Sequence, residues 1–411
     1  MKLAITNTNI QGVVNLPASK SECNRALIIE ALLRKSDLIN NVSEAADSQT
    51  LVNILQQFSN GEDNFDVGPA GTTLRFLTAF FTTQKGAQVL TGSARMNERP
   101  VGILVDALRN LGASIDYLGL EDYPPIRINE SNIVGGEVEI DGGVSSQYIS
   151  ALMLIAPTLI NGLNIKIIND LVSQPYLEMT AKLMQGFGAE VKFENSSILV
   201  ENGGYCSSQF SVESDWSAAS YWYEVLSFAK SGQVRLEGLK RESLQGDSVV
   251  ADLYKSFGVE TEFASSGVFL RKVDIELPQY FEYDFTLCPD LAQTVAVTCT
   301  GLRIEAKLTG LKTLKIKETD RILALQNELE KLGVEIECGN DWMRIHAAEL
   351  SAFSLESSTQ IETYNDHRMA MAFAPMAIKS GSLEIEDPGV VVKSYPSFWQ
   401  DLQAVGFLIE D

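Results

Sequence analysis

The sequence is poor in the residues that build metal and redox sites. Only two histidines, His346 and His367, occur in 411 residues, which is too few for a histidine-rich metal site. The five cysteines are odd in number, and no two have the CxxC spacing of a zinc knuckle or a redox pair; they are Cys23, Cys206, Cys288, Cys299 and Cys338. We therefore expect reduced thiols and no metal.

Long apolar segments are missing as well. The longest apolar run, residues 149–160, contains Ser and Pro and is too short to span a bilayer. Residues 1–8 lack the continuous apolar core and the small-residue cleavage site of a signal peptide. These absences predict a cytoplasmic protein with no membrane partner.

Positive charge is scarce. Lys and Arg total 32 against 54 Asp and Glu, which gives a net charge of −22. Nucleic acids and anionic membranes bind to basic surfaces, so this balance argues against both as partners. Where Lys and Arg do cluster in so acidic a chain, an anionic ligand is the expected reason.

The sequence does contain a long-period repeat. A chain of 411 residues is longer than a single hydrophobic core usually accommodates, so two domains are expected. One sequence pattern recurs: an amphipathic run, then Phe-Gly or Leu-Gly, then a short β-branched stretch that usually continues into a hairpin. The glycine of each copy falls where a helix needs a left-handed residue to end. These glycines are spaced by roughly 70 to 76 residues; they are Gly112, Gly188, Gly258 and Gly333, with weaker copies at Gly61 and Gly406.

A second, more apolar helical run lies between these copies. The resulting unit of two helices and several strands repeats six times, three times before about residue 215 and three times after it. Residues 2–16 read as strand but belong to no earlier copy, and the last copy has no room for its hairpin. We therefore predict an inserted domain over residues 20–213 and a discontinuous domain over residues 1–17 and 216–411. Two crossings, near residues 17–20 and 213–216, make a hinge and suggest closure over a substrate.

Several of these helices begin with cations. A helix N-terminus has free amide groups and about half a positive charge, so a cation there is unfavourable unless an anion binds. The sequence therefore predicts a cleft rimmed by helix N-termini that collects phosphate and carboxylate groups. The cations concerned are Lys20, Arg25, Arg99, Lys317, Arg321, Arg368 and Lys393.

Other residues near the helix starts have simpler interpretations. Ser and Asp at such positions usually cap the helix, and we assign that role to Asp47, to Ser217 and to most of residues 213–215. Arg75 and Arg127 are interpreted as surface or scaffold arginines and are left out of the site.

The sequence allows more than one role for two carboxylates and for one of the two histidines. Asp290 and Glu318 stand at helix starts beside the cations, where they could serve as acid and base or could simply pair with Lys or Arg. His367 could orient its neighbours or transfer protons. His346 falls in a predicted hairpin and is interpreted as structural.

Six segments resemble the 5-enolpyruvylshikimate-3-phosphate synthase (3-phosphoshikimate 1-carboxyvinyltransferase) family. Together, and in this order, they are highly specific, whereas each alone is weak, and they run the length of the chain. They are Leu16-Pro-Ala-Ser-Lys-Ser-Glu-Cys-Asn-Arg-Ala-Leu, Ala70-Gly-Thr-Thr-Leu-Arg, Arg95-Met-Asn-Glu-Arg-Pro, Gly143-Val-Ser-Ser-Gln, Lys317-Glu-Thr-Asp-Arg and Tyr364-Asn-Asp-His-Arg-Met-Ala-Met.

The resemblance implies a fold and a reaction. The fold is the two-domain inverse α/β barrel of this family, with six βαβαββ repeats, three per domain, which agrees with the repeat count above. The reaction transfers the enolpyruvyl group of phosphoenolpyruvate to the 5-hydroxyl of shikimate 3-phosphate and releases phosphate, without a metal or organic cofactor. We expect a monomer with these two small-molecule substrates.

The resemblance also implies the residues of each substrate site. The shikimate 3-phosphate site would comprise Lys20, Ser21, Arg25, Ser145, Ser146, Gln147, Ser173, Tyr176, Asp290 and Lys317. The phosphoenolpyruvate site would comprise Lys20, Gly71, Arg99, Gln147, Arg321, Arg368 and Lys393. Asp290, with Lys20, would take the proton from the 5-hydroxyl, and Glu318 would protonate the methylene carbon. His367 would support the site.

Three positions depart from the family pattern. Pro69 and Thr313 stand where the family often has Asn, and Phe76 where it often has Pro. Pro69 removes an amide side chain and a backbone donor beside Gly71, so contacts in the phosphoenolpyruvate pocket are expected to change. Gly71 itself is expected to leave the pocket open to glyphosate, the family's competitor of phosphoenolpyruvate; an inhibition assay without that competition would implicate Pro69 or Phe76.

Three alternatives can be separated by experiment. UDP-N-acetylglucosamine enolpyruvyl transferase has the same fold and donor, but its loop before Arg-Pro carries a reactive Cys, which Gly92-Ser-Ala-Arg-Met-Asn-Glu-Arg-Pro lacks. An RNA-end-modifying protein built on related repeats would need a basic surface and a nucleophilic His, and filter binding would test it. A catalytically dead binding protein is disfavoured because the catalytic positions hold competent residues.

Overall fold

The computed structural model describes residues 1–143, 145–169, 171, 173–347 and 359–410. Val144 and Val172, which belong to two of the predicted helix starts, and the final residue of the predicted discontinuous domain lie outside this set. By its internal contacts the chain divides into a discontinuous unit, Met1–Pro17 with Glu213–Asp411, and an inserted unit, Ala18–Val212. No helix in the described ranges is long and apolar enough to cross a membrane.

Thirteen α-helices and twenty-two strands are present in the described residues. The helices are α1 (Lys20–Leu33), α2 (Ala46–Ser59), α3 (Gly71–Phe81), α4 (Gly102–Asn110), α5 (Ser146–Ile155), α6 (Gln174–Gly186), α7 (Trp216–Phe228), α8 (Val250–Leu253), α9 (Ala292–Leu302), α10 (Arg321–Lys331), α11 (His367–Phe373), α12 (Ala377–Ser380) and α13 (Phe398–Ala404). The strands are β1 (Lys2–Ile5), β2 (Asn9–Asn15), β3 (Ile39–Asn40), β4 (Asn64–Asp66), β5 (Gln88–Thr91), β6 (Ser114–Tyr117), β7 (Ile126–Asn129), β8 (Gly136–Asp141), β9 (Leu163–Ile168), β10 (Val191–Glu194), β11 (Ser197–Val200), β12 (Phe210–Ser211), β13 (Ser231–Glu237), β14 (Val259–Ala264), β15 (Gly267–Lys272), β16 (Tyr280–Asp284), β17 (Glu305–Thr309), β18 (Ile336–Cys338), β19 (Trp342–Ile345), β20 (Thr359–Ile361), β21 (Ser382–Ile385) and β22 (Phe407–Glu410).

Five four-stranded sheets share one arrangement. In each, the first two strands are parallel and the remaining junctions are antiparallel, in the orders β4-β5-β7-β6, β8-β9-β11-β10, β2-β13-β15-β14, β16-β17-β19-β18 and β20-β21-β1-β22. Strands β3 and β12 form a separate parallel pair. Along β7, buried Ile126 and Ile128 flank exposed Arg127, so one face of the sheet packs inward and the other faces solvent.

The recurring glycines end helices as the sequence predicts. The backbone φ angles of Gly112, Gly188, Gly258 and Gly333 are 99°, 84°, 76° and 77°, all in the left-handed region that favours glycine. A hairpin follows each of them: β6 pairs with β7, β10 with β11, β14 with β15, and β18 with β19. The glycine repeat therefore marks real helix ends.

Two predicted helix starts are wrong. Arg99 follows a 3₁₀ turn at Met96–Glu98 and has extended backbone angles, and α4 begins only at Gly102. Lys393 ends a 3₁₀ helix at Pro388–Lys393, and α13 begins at Phe398. These two cations precede their α-helices across loop segments.

Three buried helices of the discontinuous unit, α7, α9 and α11, have polar groups in contact at one end. Arg368, the second residue of α11, places Nη2 3.4 Å from Ser217 Oγ on α7 and Nη1 3.5 Å from the carbonyl oxygen of Asp290, just before α9. One turn further along α7 and α9, the hydroxyl oxygens of Ser220 and Thr294 are 3.1 Å apart. The helices therefore run in the same direction, and their N-termini lie together.

Glu224 is an unusual residue in the middle of α7. It is 0% exposed, and neither carboxyl oxygen has a hydrogen-bond partner among the residues that the structure describes. Burial raises its pKa well above the usual value, so the side chain is held as the neutral acid. Such a group destabilises the fold, because an unsatisfied buried polar atom costs about 1–3 kcal/mol.

Replacing Glu224 by leucine is therefore expected to stabilise the protein by about 1–3 kcal/mol, measured as an increase in Tm at pH 8. The folded-state pKa is raised, so Glu224 destabilises the protein least below the unfolded pKa of about 4.3 and increasingly as pH rises above it. Glu224→Gln is the control, since it keeps a polar group but cannot titrate. Its Tm difference from the wild type should grow between pH 5 and pH 8; a constant difference would contradict the assignment.

Candidate active site

Arg321 is the centre of a buried charge cluster in the discontinuous unit. It is the first residue of α10 and is 2% exposed. Its Nε lies 2.6 Å from Asp366 Oδ2, its Nη1 3.1 Å from Asp290 Oδ1, and its Nη2 3.0 Å from Glu318 Oε2. Burial alone would lower the pKa of this guanidinium, but the charges of Asp366, Glu318 and Asp290 raise it overall. The side chain is therefore a permanent cation that fixes three carboxylates.

Three more cations touch the two candidate acid and base residues. Arg368 Nη2 is 3.0 Å from Asp290 Oδ2, and Lys317 Nζ is 3.8 Å from Asp290 Oδ1. Lys393 Nζ is 3.0 Å from Glu318 Oε1. Burial lowers the pKa of Lys317, and the carboxylate of Asp290 opposes that effect. We name this group of Asp290, Lys317, Glu318, Arg321, Asp366, Arg368 and Lys393 the Arg321 cluster.

A further carboxyl group, Asp247, borders the cluster. It is 4% exposed and accepts a hydrogen bond from the hydroxyl of Ser217. Burial, followed by the negative charge of Asp290, raises the pKa of Asp247 to about 7. Asp247 can therefore hold or release a proton near neutral pH.

Ser217 is not the N-cap that the sequence predicts, because Asp215 caps α7 by accepting from the amide of Ala218.

Asp366 links the cluster to the start of α11. Its carboxylate accepts from the amide of Arg368 at 2.9 Å and also binds Arg321. The two preceding residues, Tyr364 and Asn365, have φ angles of 53° and 54°, so the chain reaches Asp366 through a left-handed turn. His367 is 2% exposed, with Nδ1 3.6 Å from Asp366 Oδ1. This position suits orientation of its neighbours, which stays a prediction for His367.

In the inserted unit, Arg25 on α1 is a buried cation surrounded by neutral groups. Its guanidinium donates to four neutral oxygens: Thr180 Oγ1 at 2.7 Å, Ser21 O at 2.8 Å, Ser150 Oγ at 3.2 Å and Tyr176 O at 3.4 Å. It also lies over the rings of Phe76 and Tyr176, with its Cζ 5.4 and 5.9 Å from the centroids. Burial lowers its pKa to about 10. No direct carboxylate ion pair to Arg25 occurs in the described chain, which favours an external anion.

A second group in the inserted unit surrounds Gly71. Arg75 Nη1 is 3.0 Å from the carbonyl oxygen of Gly71 and 3.1 Å from Gln147 Oε1, and Gln147 Nε2 donates to Thr72 Oγ1 at 3.0 Å. A Cβ at position 71 would lie 2.7 Å from Nη1 of both Arg75 and Arg99. The group brings together Gly71, Arg99 and Gln147 from the predicted site, with Arg75 as a member that the sequence interpretation missed.

The remaining predicted residues of this unit lie at helix starts. Lys20 opens α1 and pairs with Asp47 at 3.1 Å. Asp47 is the second residue of α2 and does not cap it, because the N-cap position is Ala45. Ser145 caps α5 by accepting from the amide of Gln147 at 3.3 Å, and Ser146 is the first residue of that helix. Ser173 precedes α6 with a left-handed φ of 57° and is buried.

The described residues contain no group of three or more His, Cys, Asp and Glu side chains arranged to hold a metal ion. The chemistry of the two regions is instead that of guanidinium, ammonium and carboxyl groups. Such groups can bind phosphate and carboxylate oxygens and can move protons.

Comparison with known proteins identifies the family. The EPSP synthase (3-phosphoshikimate 1-carboxyvinyltransferase) family model matches residues 5–64 and 55–402. The chain belongs to the EPSP synthase family. Among similar relatives of this family, 3-phosphoshikimate 1-carboxyvinyltransferase from Bacteroides fragilis (strain YCH46) is 45% identical over 404 residues, which cover 98% of this chain and 97% of the relative. The enzyme of the same name from Sulfurovum sp. (strain NBC37-1) is 36% identical over 96% of this chain and 97% of its own length.

A solved structure supports the same fold. EPSP synthase from Acinetobacter baumannii superimposes with a TM-score of 0.77 at 20% identity, and the alignment covers 100% of both chains. At that identity the likeness concerns the fold alone, and it agrees with the mixed α/β architecture of this EPSP synthase family member.

The sequence interpretation missed several residues that contact the predicted EPSP synthase site. Arg75 follows Gly71 by four residues on α3, a spacing that puts both on one helix face and could have revealed the contact. Asp247 and Asp366 stand at helix starts and are the acidic neighbours of the predicted cations. Sequence alone carried no signal for the Lys20–Asp47 pair, since the two residues lie on different helices.

Proposed function

We infer that this chain transfers the enolpyruvyl group of phosphoenolpyruvate to the 5-hydroxyl of shikimate 3-phosphate and releases phosphate. The family match and the full-length relatives support this reaction. The structural observation that carries it is the double contact of one buried guanidinium, Arg321, with the base candidate Asp290 and the acid candidate Glu318, at 3.1 and 3.0 Å.

The reaction proceeds by addition followed by elimination. In the addition, the 5-oxygen of shikimate 3-phosphate forms a bond to C2 of phosphoenolpyruvate, its proton passes to Asp290, and Glu318 delivers a proton to C3. In the elimination, the C2–oxygen bond to phosphate breaks with its electron pair, and a proton leaves the C3 methyl group. Cations stabilise the departing phosphate, because preorganised charge acts on the negative charge that develops.

Residue roles follow from what each side chain contacts. Arg25, with Ser21 and Tyr176, serves the shikimate 3-phosphate site, because its charge lacks a carboxylate ion pair in the described chain. Gly71, Arg99 and Gln147 serve phosphoenolpyruvate, where the missing Cβ leaves the guanidinium ends close to the backbone. Lys393 and Arg368 hold Glu318 and Asp290 until an anionic substrate competes for them.

The fine architecture of the family is also part of the proposal. The five sheets share one pattern of a parallel junction followed by two antiparallel ones, which supports βαβαββ repeats, and the parallel pair of β3 and β12 is a reduced sixth copy. The predicted domains then correspond to the discontinuous and inserted units, with three repeats in each, and the inverse α/β barrel of the family follows. A cytoplasmic, monomeric enzyme remains our prediction.

Competition between acceptors tests the proposed function. The enzyme is given phosphoenolpyruvate together with equal concentrations of shikimate 3-phosphate and UDP-N-acetylglucosamine, and the products are identified by mass spectrometry. We expect the enolpyruvyl ether of shikimate 3-phosphate alone. The enolpyruvyl ether of UDP-N-acetylglucosamine, or the absence of both products, would contradict the assignment.

A substitution at Gly71 tests the phosphoenolpyruvate site. A Cβ there would lie 2.7 Å from the Nη1 atoms of Arg75 and Arg99, so both guanidinium groups must move. Gly71→Ala is expected to raise the KM for phosphoenolpyruvate by roughly tenfold, which corresponds to about 1.4 kcal/mol of binding, with little change in the KM for shikimate 3-phosphate.

Gly186→Ala is the matched control for that change, because a Cβ at Gly186 would meet no atom within 4 Å. It should leave both KM values unchanged. If Gly71→Ala raised the KM for shikimate 3-phosphate instead, the assignment of the Gly71 region to phosphoenolpyruvate would be wrong.

A further inference from the structure

Three cations meet at the C-terminal ends of helices in the discontinuous unit, away from the Arg321 cluster. Lys272, at the end of β15, donates to the carbonyl oxygen of Ser227 on α7 at 2.8 Å. Arg303 ends α9 in a left-handed conformation, with a φ of 61°. Lys379 lies in the last turn of α12, with Nζ 5.4 Å from the ring centroid of Phe228. We name these three residues the basic trio.

Phe228 explains why the trio is close together. A Cβ at Gly301 would lie 2.5 Å from Cζ of Phe228 and 2.9 Å from Sδ of Met376. Gly301 comes two residues before Arg303, and Met376 three residues before Lys379. The same ring is next in sequence to Ser227, which accepts from Lys272. One aromatic side chain therefore packs between the ends of three helices, each of which has a cation beside it.

All three members of the trio lie at helix ends, but they differ in their partners. Cations are favourable near helix C-termini, and Lys272 binds a terminal carbonyl of α7. Lys379 forms no hydrogen bond or ion pair with any residue that the structure describes, and its ammonium group lies over the ring of Phe228. Lys166, by contrast, is an exposed lysine with a carboxylate partner, Glu137, at 2.6 Å.

We propose that Lys379 is a site of lysine acylation by small anionic acyl donors of the acyl phosphate class. The neutral Nζ attacks the carbonyl carbon of the acyl phosphate, and a carbon–nitrogen bond forms. The carbon–oxygen bond to phosphate then breaks with its electron pair, inorganic phosphate leaves, and the surplus Nζ proton passes to water. The product is an amide at Lys379. Lys272 and Arg303 attract the anionic donor and favour the departure of phosphate.

The surroundings of Lys379 also supply the neutral amine that this attack needs. Burial lowers its pKa to about 8, and the positive charges of Lys272 on β15 and Arg303 at the end of α9 add to that effect. About half of such a side chain is neutral at pH 8, against less than about one per cent of an ordinary lysine. The site lies at the far end of α7 from Ser217, a helix of 13 residues and so about 20 Å long.

Site-resolved acetylation tests the proposal. The intact enzyme is treated with acetyl phosphate between pH 7 and pH 10, in the presence of shikimate 3-phosphate to cover Lys317, whose pKa burial also lowers. Peptide mass spectrometry gives a rate for each lysine. At pH 8 we expect Lys379 to react at least tenfold faster than Lys166, whose pKa is raised by its hydrogen bond to Glu137. The rate at Lys379 should level off above about pH 8, whereas the rate at Lys166 should keep rising.

Two variants and a second reagent separate the contributions. Lys272→Met and Arg303→Gln should each slow the reaction at Lys379, and should slow it more with acetyl phosphate than with the neutral donor N-acetylimidazole. Lys379→Arg keeps the charge, should retain enolpyruvyl transfer, and should remove the fast acetylation phase. An equal rate at Lys379 and Lys166, or equal slowing of both reagents, would overturn the proposal, whether or not the enzyme transfers enolpyruvyl groups.

Discussion

Replacing Glu318 by glutamine is expected to lower kcat by about 10³-fold, because a positioned proton donor contributes roughly 10²–10⁴-fold to a rate. The amide has nearly the same shape, and its oxygen can still accept from one of the two cations, Arg321 or Lys393, which each contact a different carboxylate oxygen at 3.0 Å. The KM values for both substrates should therefore change by less than about threefold, since the loss is confined to the transition state. Steady-state kinetics with both substrates varied gives this comparison.

Glu337→Gln is the matched control for the Glu318 variant. Glu337 also pairs with a basic side chain, His346 at 2.7 Å, but it lies on β18 outside the Arg321 cluster. Its kcat should equal that of the wild type. If Glu318→Gln kept full turnover, Glu318 would not be the proton donor.

Replacing Arg321 by methionine is expected to destabilise the protein by about 3–5 kcal/mol and to abolish enolpyruvyl transfer. The large effect follows from burial: the guanidinium is 2% exposed, and its removal strips a direct ion pair from Asp290, Glu318 and the fully buried Asp366. Thermal unfolding measured together with activity checks both parts of this expectation.

Arg344→Met provides the comparison for Arg321. Arg344 pairs with Glu305 at 2.7 Å, but both side chains are partly exposed, so the loss should be under about 1 kcal/mol. A similar, small loss of stability in both arginine variants would contradict the view that the Arg321 cluster is a buried, mutually dependent network.

Much of the local structure could be predicted because it depends on neighbouring residues in the chain. The four recurring glycines end their helices because only glycine adopts the left-handed conformation at no steric cost, and this preference is readable without a structure. The strongly apolar helices could also be predicted, since their composition alone requires burial. Of the cations in the Arg321 cluster, Arg321 and Arg368 could be found because they oppose the helix dipole at the starts of α10 and α11.

The starts of α4 and α13 were mispredicted because of proline. A residue that precedes proline is disfavoured in the helical conformation, and Arg99 precedes Pro100 while Tyr395 precedes Pro396. The helices accordingly begin at Gly102 and Phe398, beyond the two prolines. Applied at these two positions, the proline rule would have moved the starts of α4 and α13 beyond Arg99 and Lys393.

Partners of the charged side chains could not be predicted, because they depend on tertiary contacts. Asp47 looked like an N-cap but binds Lys20 of the neighbouring helix at 3.1 Å. Ser217 also looked like a cap, yet its hydroxyl donates to Asp247, thirty residues away. No local pattern distinguishes a cap from a side chain that binds another helix, since both favour Ser and Asp near a helix start.

We expect this chain to join two anionic metabolites and to release phosphate only as part of that transfer. Phosphate release is measured with phosphoenolpyruvate and shikimate 3-phosphate together, and with each omitted in turn. We predict phosphate only when both are present, in a one-to-one ratio with the enolpyruvyl ether. Phosphate released from phosphoenolpyruvate alone, or none with both substrates present, would contradict the account.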